Sequence, residues 1–208
     1  MVAQAWVRHI RRILFVEDNI PWFQIQGYRE MLKALLEEMY HRSIHDFPNT
    51  LIETIKSFLA NPKVLNAVMK ITFSKTKSLD SSAVLKTMDM NSRWFLKLYL
   101  RGMTVPADFE WDFFNQGIEM LLSLDHGTST AKGIWFLYQI LHTLPLQHRN
   151  FLLSIILKPD VFYGFFFNWS SKVRNSFYYF FYFQLHRLFI DSQERADDMH
   201  QSITSNIE

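Results

Sequence analysis

The stretch from Ser123 to Pro145 restricts this chain more than any other. A polar loop, Asp125-His126-Gly127-Thr128-Ser129-Thr130-Ala131-Lys132, opens directly into an apolar run that stops at Pro145. Ile134, Trp135, Phe136, Leu137, Tyr138, Ile140 and Leu141 point in almost every direction around a helical axis. A helix apolar all round belongs among other helices. Thr128, Ser129 or Thr130 is expected to cap it by accepting a free backbone N–H, and Pro145 ends it for want of an N–H. Truncating Trp135 to Ala is expected to cost about 3–5 kcal/mol.

The remainder of the chain must supply the surrounding helices. With only 6 Gly and 6 Pro in 208 residues, punctuation is sparse, as long helices joined by short links require. Asn19 to His45 is the clearest amphipathic segment, with Tyr28, Met31, Leu32, Leu35, Leu36 and Met39 at three- and four-residue steps. Pro48 and Asn61-Pro62 bracket the next helix, and Leu65 to Thr72 continue the pattern. Ser74 to Ser82 reads as a loop. A helix follows to Gly102, with a kink expected near Asn91, and then another from Asp108 to Leu124. Leu146 to Leu157, Val161 to Trp169 and Val173 to Phe189 complete the set.

The predicted fold is all-α, with stacked antiparallel helices as either an armadillo/HEAT-like solenoid fragment or an irregular bundle. The expected division is one helical domain over residues 1–190 and a polar tail over 191–208.

Several function classes are weakened by composition. A formal charge of +2 is too small for a nucleic-acid footprint. With no cysteine there is neither disulfide nor thiolate chemistry, which fits a reducing, cytoplasmic setting. Arg8, Arg11 and Arg12 interrupt the N-terminus, so no signal peptide is expected, and no window is apolar enough to span a membrane. Ile13 to Asn19 looks like the first strand of a receiver domain. The buried second strand that should precede a phospho-acceptor such as Asp89 is missing.

The loop from Asp125 to Lys132 holds the most suggestive chemistry. Ser129 sits as Gly-x-Ser-x-Ala, yet a nucleophile elbow needs a strand before it. A helix N-terminus with Lys132 nearby attracts anions, but the Walker order of Gly, Lys and Ser/Thr is absent. The bland reading is a capping loop in which Asp125 and the hydroxyls bond the backbone, Gly127 takes a positive φ and His126 holds a neighbouring loop. His41 and His45 lie four residues apart but lack a third metal ligand. No catalytic residue, cofactor or metal is predicted.

Two surfaces are candidates for contact. Lys56, Lys63, Lys70, Lys75 and Lys77, with the Arg93, Lys97 and Arg101 stripe further on, form a basic face or simply a solvated one. The aromatic runs from Phe162 to Phe189 exceed what one amphipathic face holds. They are either interior packing or a face for a protein or a membrane. The residues picked out there are Phe166, Trp169, Lys172, Arg174, Tyr178 and Tyr182.

Asp125 to Lys132, followed by Ile134-Trp135 and Leu137-Tyr138, resembles an Asp-His-Gly-x-Ser-Thr-Ala-Lys segment of an uncharacterised eukaryotic family. Its members are mainly long fungal and protist proteins, some labelled as membrane proteins by prediction. The likeness extends over Phe114 to Leu188 and includes the aromatic runs. It implies no reaction and carries over no catalytic residue. The expected function is therefore a non-enzymatic scaffold that binds a protein partner. The alternative is a peripheral protein that meets anionic lipid through its basic faces and aromatic C-terminal helices.

Overall fold

A helix with apolar residues on every side needs neighbours on every side, and the segment after the Asp125 loop has them. In the computed structural model, which describes residues 21–185 together with Ala5 and His9, the chain is built from helices, and the described residues contain no strand. Apart from Ala5 and His9, the segment Val2–Val16 lies outside the described residues, as do the receiver-like Ile13–Asn19, the end of the second aromatic segment and the 191–208 tail. In order, the α-helices are α1 (Tyr28–His41), α2 (Asn49–Phe58), α3 (Val64–Lys75), α4 (Ser81–Tyr99) and α5 (Trp111–Leu122). They are followed by α6 (Gly127–Ile140), α7 (Leu146–Ile156), α8 (Pro159–Phe166) and α9 (Ser171–Tyr179), the last running into a π-helical segment, Phe180–Leu185.

α6 is the centre of this all-α bundle. It makes its largest contacts with α4 and α9 and packs also on α5 and the π segment. Its Ile134, Phe136, Leu137 and Ile140 are buried. The Phe136 ring meets Phe95 of α4 at 6.4 Å and Phe114 of α5 at 6.2 Å. On the opposite side Trp135 and Tyr138 are only half-buried. They stack on each other at 4.9 Å, and Tyr179 meets Trp135 edge-on at 6.3 Å. Gln184 reaches back to donate to the Tyr138 carbonyl at 2.5 Å. The sequence expectation that Trp135 is the core aromatic is thereby corrected: Phe136 fills that role, and Trp135 lies under a thin cover of rings.

α3 and α4 are joined by a buried polar seam. The Asn91 amide donates to Thr72 Oγ1 at 3.0 Å and to the Thr87 carbonyl at 2.9 Å. The Thr76 and Thr87 hydroxyls meet at 2.6 Å. These bonds engage Asn91 Nδ2, and α4 is continuous through this position. α4 starts at Ser81, and Asp80 caps it, accepting from the Ser82 and Ala83 amides at 3.1 Å each. α1 is shorter than its pattern. Gly27, at φ 80°, precedes it in a left-handed turn, and Trp22 to Gln24 form a separate short 3-10 turn.

Candidate functional site

The loop before α6 is a cap, assembled differently from the sequence expectation. The helix begins at Gly127, which places Thr128, Ser129 and Thr130 inside its first turn. The capping acceptor is His126, whose Nδ1 lies 3.3 Å from the Ser129 amide. Thr130 donates backward to the Leu124 carbonyl at 2.9 Å. Asp125 and Thr128 are exposed, and Asp125 makes no hydrogen bond to His126. Gly127 does not have the expected positive φ. It is small for another reason: a Cβ there would come within 2.8 Å of Ser170 Oγ and 2.9 Å of Ser170 Cβ. The turn between α8 and α9 therefore lies directly on the first residue of α6.

Ser129 and His126 do approach each other, with Oγ 2.8 Å from Nδ1. The same hydroxyl donates to the Ser78 carbonyl at 3.1 Å, so its proton already has a backbone acceptor. The separation suits a general base. Access does not, because Ser129 is fully buried. Lys132 is ion-paired to Asp89 of α4, which directs its charge across the helix pair instead of toward an anion at the N-terminus. Asp89, the phospho-acceptor candidate of the receiver reading, is thus a helical partner of this lysine.

The histidine pair is also separated. His41 ends α1, whereas His45 sits in a 3-10 turn, Ile44–Asp46, with Nε2 2.8 Å from Asp80 Oδ2. The Asp80 carboxyl is lowered to about 2, chiefly by the Ala83 amide and then by His45 and Ser82. Lys86 donates to the His45 and Phe47 carbonyls at 3.0 and 2.9 Å, completing a clasp between this turn and α4. Among the described residues no cluster of His, Asp and Glu could hold a metal ion.

The two surface candidates fare differently. Lys56 pairs with Glu53 at 3.2 Å and Lys70 with Glu110 at 2.7 Å, and Lys75 lies over the Tyr40 ring at 5.3 Å. Lys63, Lys77 and Arg93 are exposed. In the aromatic segment, Phe165, Val173, Phe177 and Phe180 turn inward and are buried. Their neighbours turn out: Phe167 is 72% exposed, Trp169 76% and Tyr182 65%. Phe166 is half-buried and stacks on Phe162 at 5.8 Å. Tyr178 donates to the Phe166 carbonyl at 3.0 Å. Arg174 Nη1 donates to the Asn168 and Trp169 carbonyls at 2.5 and 3.2 Å, fixing the turn, while Lys172 is exposed. The helices around this face are short. No helix among the described residues is long and apolar enough to cross a membrane.

An all-helical bundle centred on one buried helix, with a capping loop at that helix's start and an aromatic outer face, is the class of protein defined here. Residues 65–185 match the family of proteins of unknown function designated DUF1765, and the chain belongs to that family. The matched region begins in α3, well before the Phe114 suggested by the motif, and takes in both the Asp125–Lys132 loop and the aromatic helices. No curated protein and no solved structure matches the chain.

Proposed function

We propose that this chain is a non-enzymatic helical interaction module whose α8–α9 face docks a folded protein partner. The observation behind this reading is the ring surface itself. Tyr163, Phe167, Trp169 and Tyr182 each leave more than half of their surface in solvent, beside rings that already fill the core. Tyr163 and Phe167 stack at 6.1 Å; exposed apolar surface of this kind marks sites of contact, and Tyr and Trp combine apolar area with a polar tip suited to an interface rim. The buried, doubly engaged Ser129 and the paired Lys132 favour a structural role for the Asp125–Lys132 motif, which we read as a signature of the family. Armadillo-like stacking and a cytoplasmic setting belong to the same reading.

A second reading is attachment to anionic membranes. It draws on Lys172 beside the same rings and on the exposed Lys63, Lys77 and Arg93. The pairing of Lys56 and Lys70 with acids leaves it less net charge to work with. The test compares the full chain with a Phe167→Ser, Trp169→Ser, Tyr182→Ser variant of unchanged melting temperature. A protein that co-purifies with the first and not with the second supports docking, and equal retention by both refutes it. Sedimentation with phosphatidylserine vesicles at low salt, lost at high salt and in the variant, would support the membrane reading instead.

A further inference from the structure

Away from the aromatic face, a cleft of about 350 Å3 opens between α3, the loop that follows it, α4 and α5. Phe73, Val84, Met88, Phe113 and Leu121 make it predominantly apolar. Gly117 leaves room for one wall, since a Cβ there would come within 2.8 Å of the Phe73 ring. Ser74, Ser78 and Gln116 also line the cleft. Their hydroxyl and amide groups make no hydrogen bond to another described residue, whereas the Thr76 hydroxyl is already engaged by Thr72 and Thr87. No residue lining the cleft is ionisable. The loop carrying Ser78 is held in place by the Ser129 hydroxyl on the Ser78 carbonyl, so the wall is fixed from the α6 side.

A concave apolar site of a few hundred Å3 with a few convergent polar groups is the usual form of a small-molecule pocket. Ser74 and Gln116 are exposed and Ser78 is half-buried, so a charged head drawn in to Ser78 would lose water without gaining a counter-ion from the lining. We propose that this cleft binds a small uncharged amphiphile, with an aliphatic or aromatic body against Phe73, Phe113 and Leu121 and a hydroxyl or amide head at Ser74, Ser78 and Gln116. The absence of lining charge selects an alcohol or amide over a carboxylate or phosphate of the same length.

The test uses the full chain and N-phenylnaphthylamine, an uncharged dye that brightens in apolar sites. Saturable binding is expected, with dodecanol displacing the dye and dodecanoate weaker by about tenfold or more. Met120 and Gln116 are exposed at the cleft, so substitutions there leave the core intact. Met120→Trp should fill the opening and weaken the dye by about tenfold or more. Gln116→Lys should make dodecanoate the better competitor. Phe167→Ser and Trp169→Ser should change neither result, which separates this site from the aromatic face. The proposal is overturned if dye binding does not saturate, if dodecanol and dodecanoate displace it equally, if Met120→Trp has no effect, or if the aromatic-face substitutions abolish binding.

Discussion

Replacing Phe136 with Ala tests whether α6 is the helix on which the others pack. The ring is fully buried and lies between Phe95 and Phe114, which belong to two different helices. Removing it forfeits the transfer free energy of the ring and leaves a void that those two rings cannot both fill. The expected cost is about 3–5 kcal/mol. At roughly 2–4 °C per kcal/mol for a chain of this size, the melting temperature should fall by about 6–20 °C. Trp135, one residue away and larger, provides the control. It is half-buried under Tyr138 and Tyr179, so Trp135→Ala should cost only about 1–2 kcal/mol. Urea unfolding followed by far-UV circular dichroism measures both. If Trp135→Ala costs as much as Phe136→Ala, or Phe136→Ala costs under about 1 kcal/mol, then α6 is not enclosed as described.

Other substitutions test the loop and the clasp. Gly127→Ala should destabilise by about 1–3 kcal/mol through overpacking against Ser170, and adding Ser170→Gly should recover most of the loss; no recovery would mean that the close approach is not the cause. Ser129→Ala should lower stability by about 1–3 kcal/mol, because the Ser78 carbonyl loses its side-chain donor while His126 keeps only the Ser129 amide; an unchanged melting temperature would count against the Ser129 hydroxyl holding the Ser78 loop. Asp80 has a depressed folded-state pKa of about 2, so its contribution is present above about pH 4, the unfolded value, and is lost as pH falls toward 2. Asp80→Asn should therefore flatten that part of the stability–pH curve, and an identical slope in wild type and variant would refute the assignment.

How much of the fold and of the loop can be read from sequence depends on the range of the interaction. The three- and four-residue spacing of Phe114, Ile118, Leu121 and Leu122 located α5, because periodicity is a local property. Gly102 marked the end of α4 for the same kind of reason. It takes a positive φ, its amide bonds the Tyr99 carbonyl, and the Met103 amide bonds that of Leu98, closing the helix in a Schellman arrangement. Gly127 suggests a positive φ from sequence alone because its constraint comes from Ser170, far along the chain, and nothing nearby signals that approach. The Lys132–Asp89 pair was hidden in the same way. In the loop, three consecutive hydroxyls are the expected caps, whereas the His126 ring nitrogen does the capping. The aromatic runs showed that their rings were too many for one face. Which rings turn inward depends on how α9 sits on α6, and only the packed structure supplies that.

Photo-cross-linking reads the α8–α9 surface whatever the partner's identity. A benzophenone side chain is placed at position 167 and, as a control, at position 40, where Tyr40 is also exposed but lies on α1. A discrete protein adduct from position 167 that is absent from position 40 is the predicted result. Lipid adducts alone, the same adducts from both positions, or none from position 167 would contradict it.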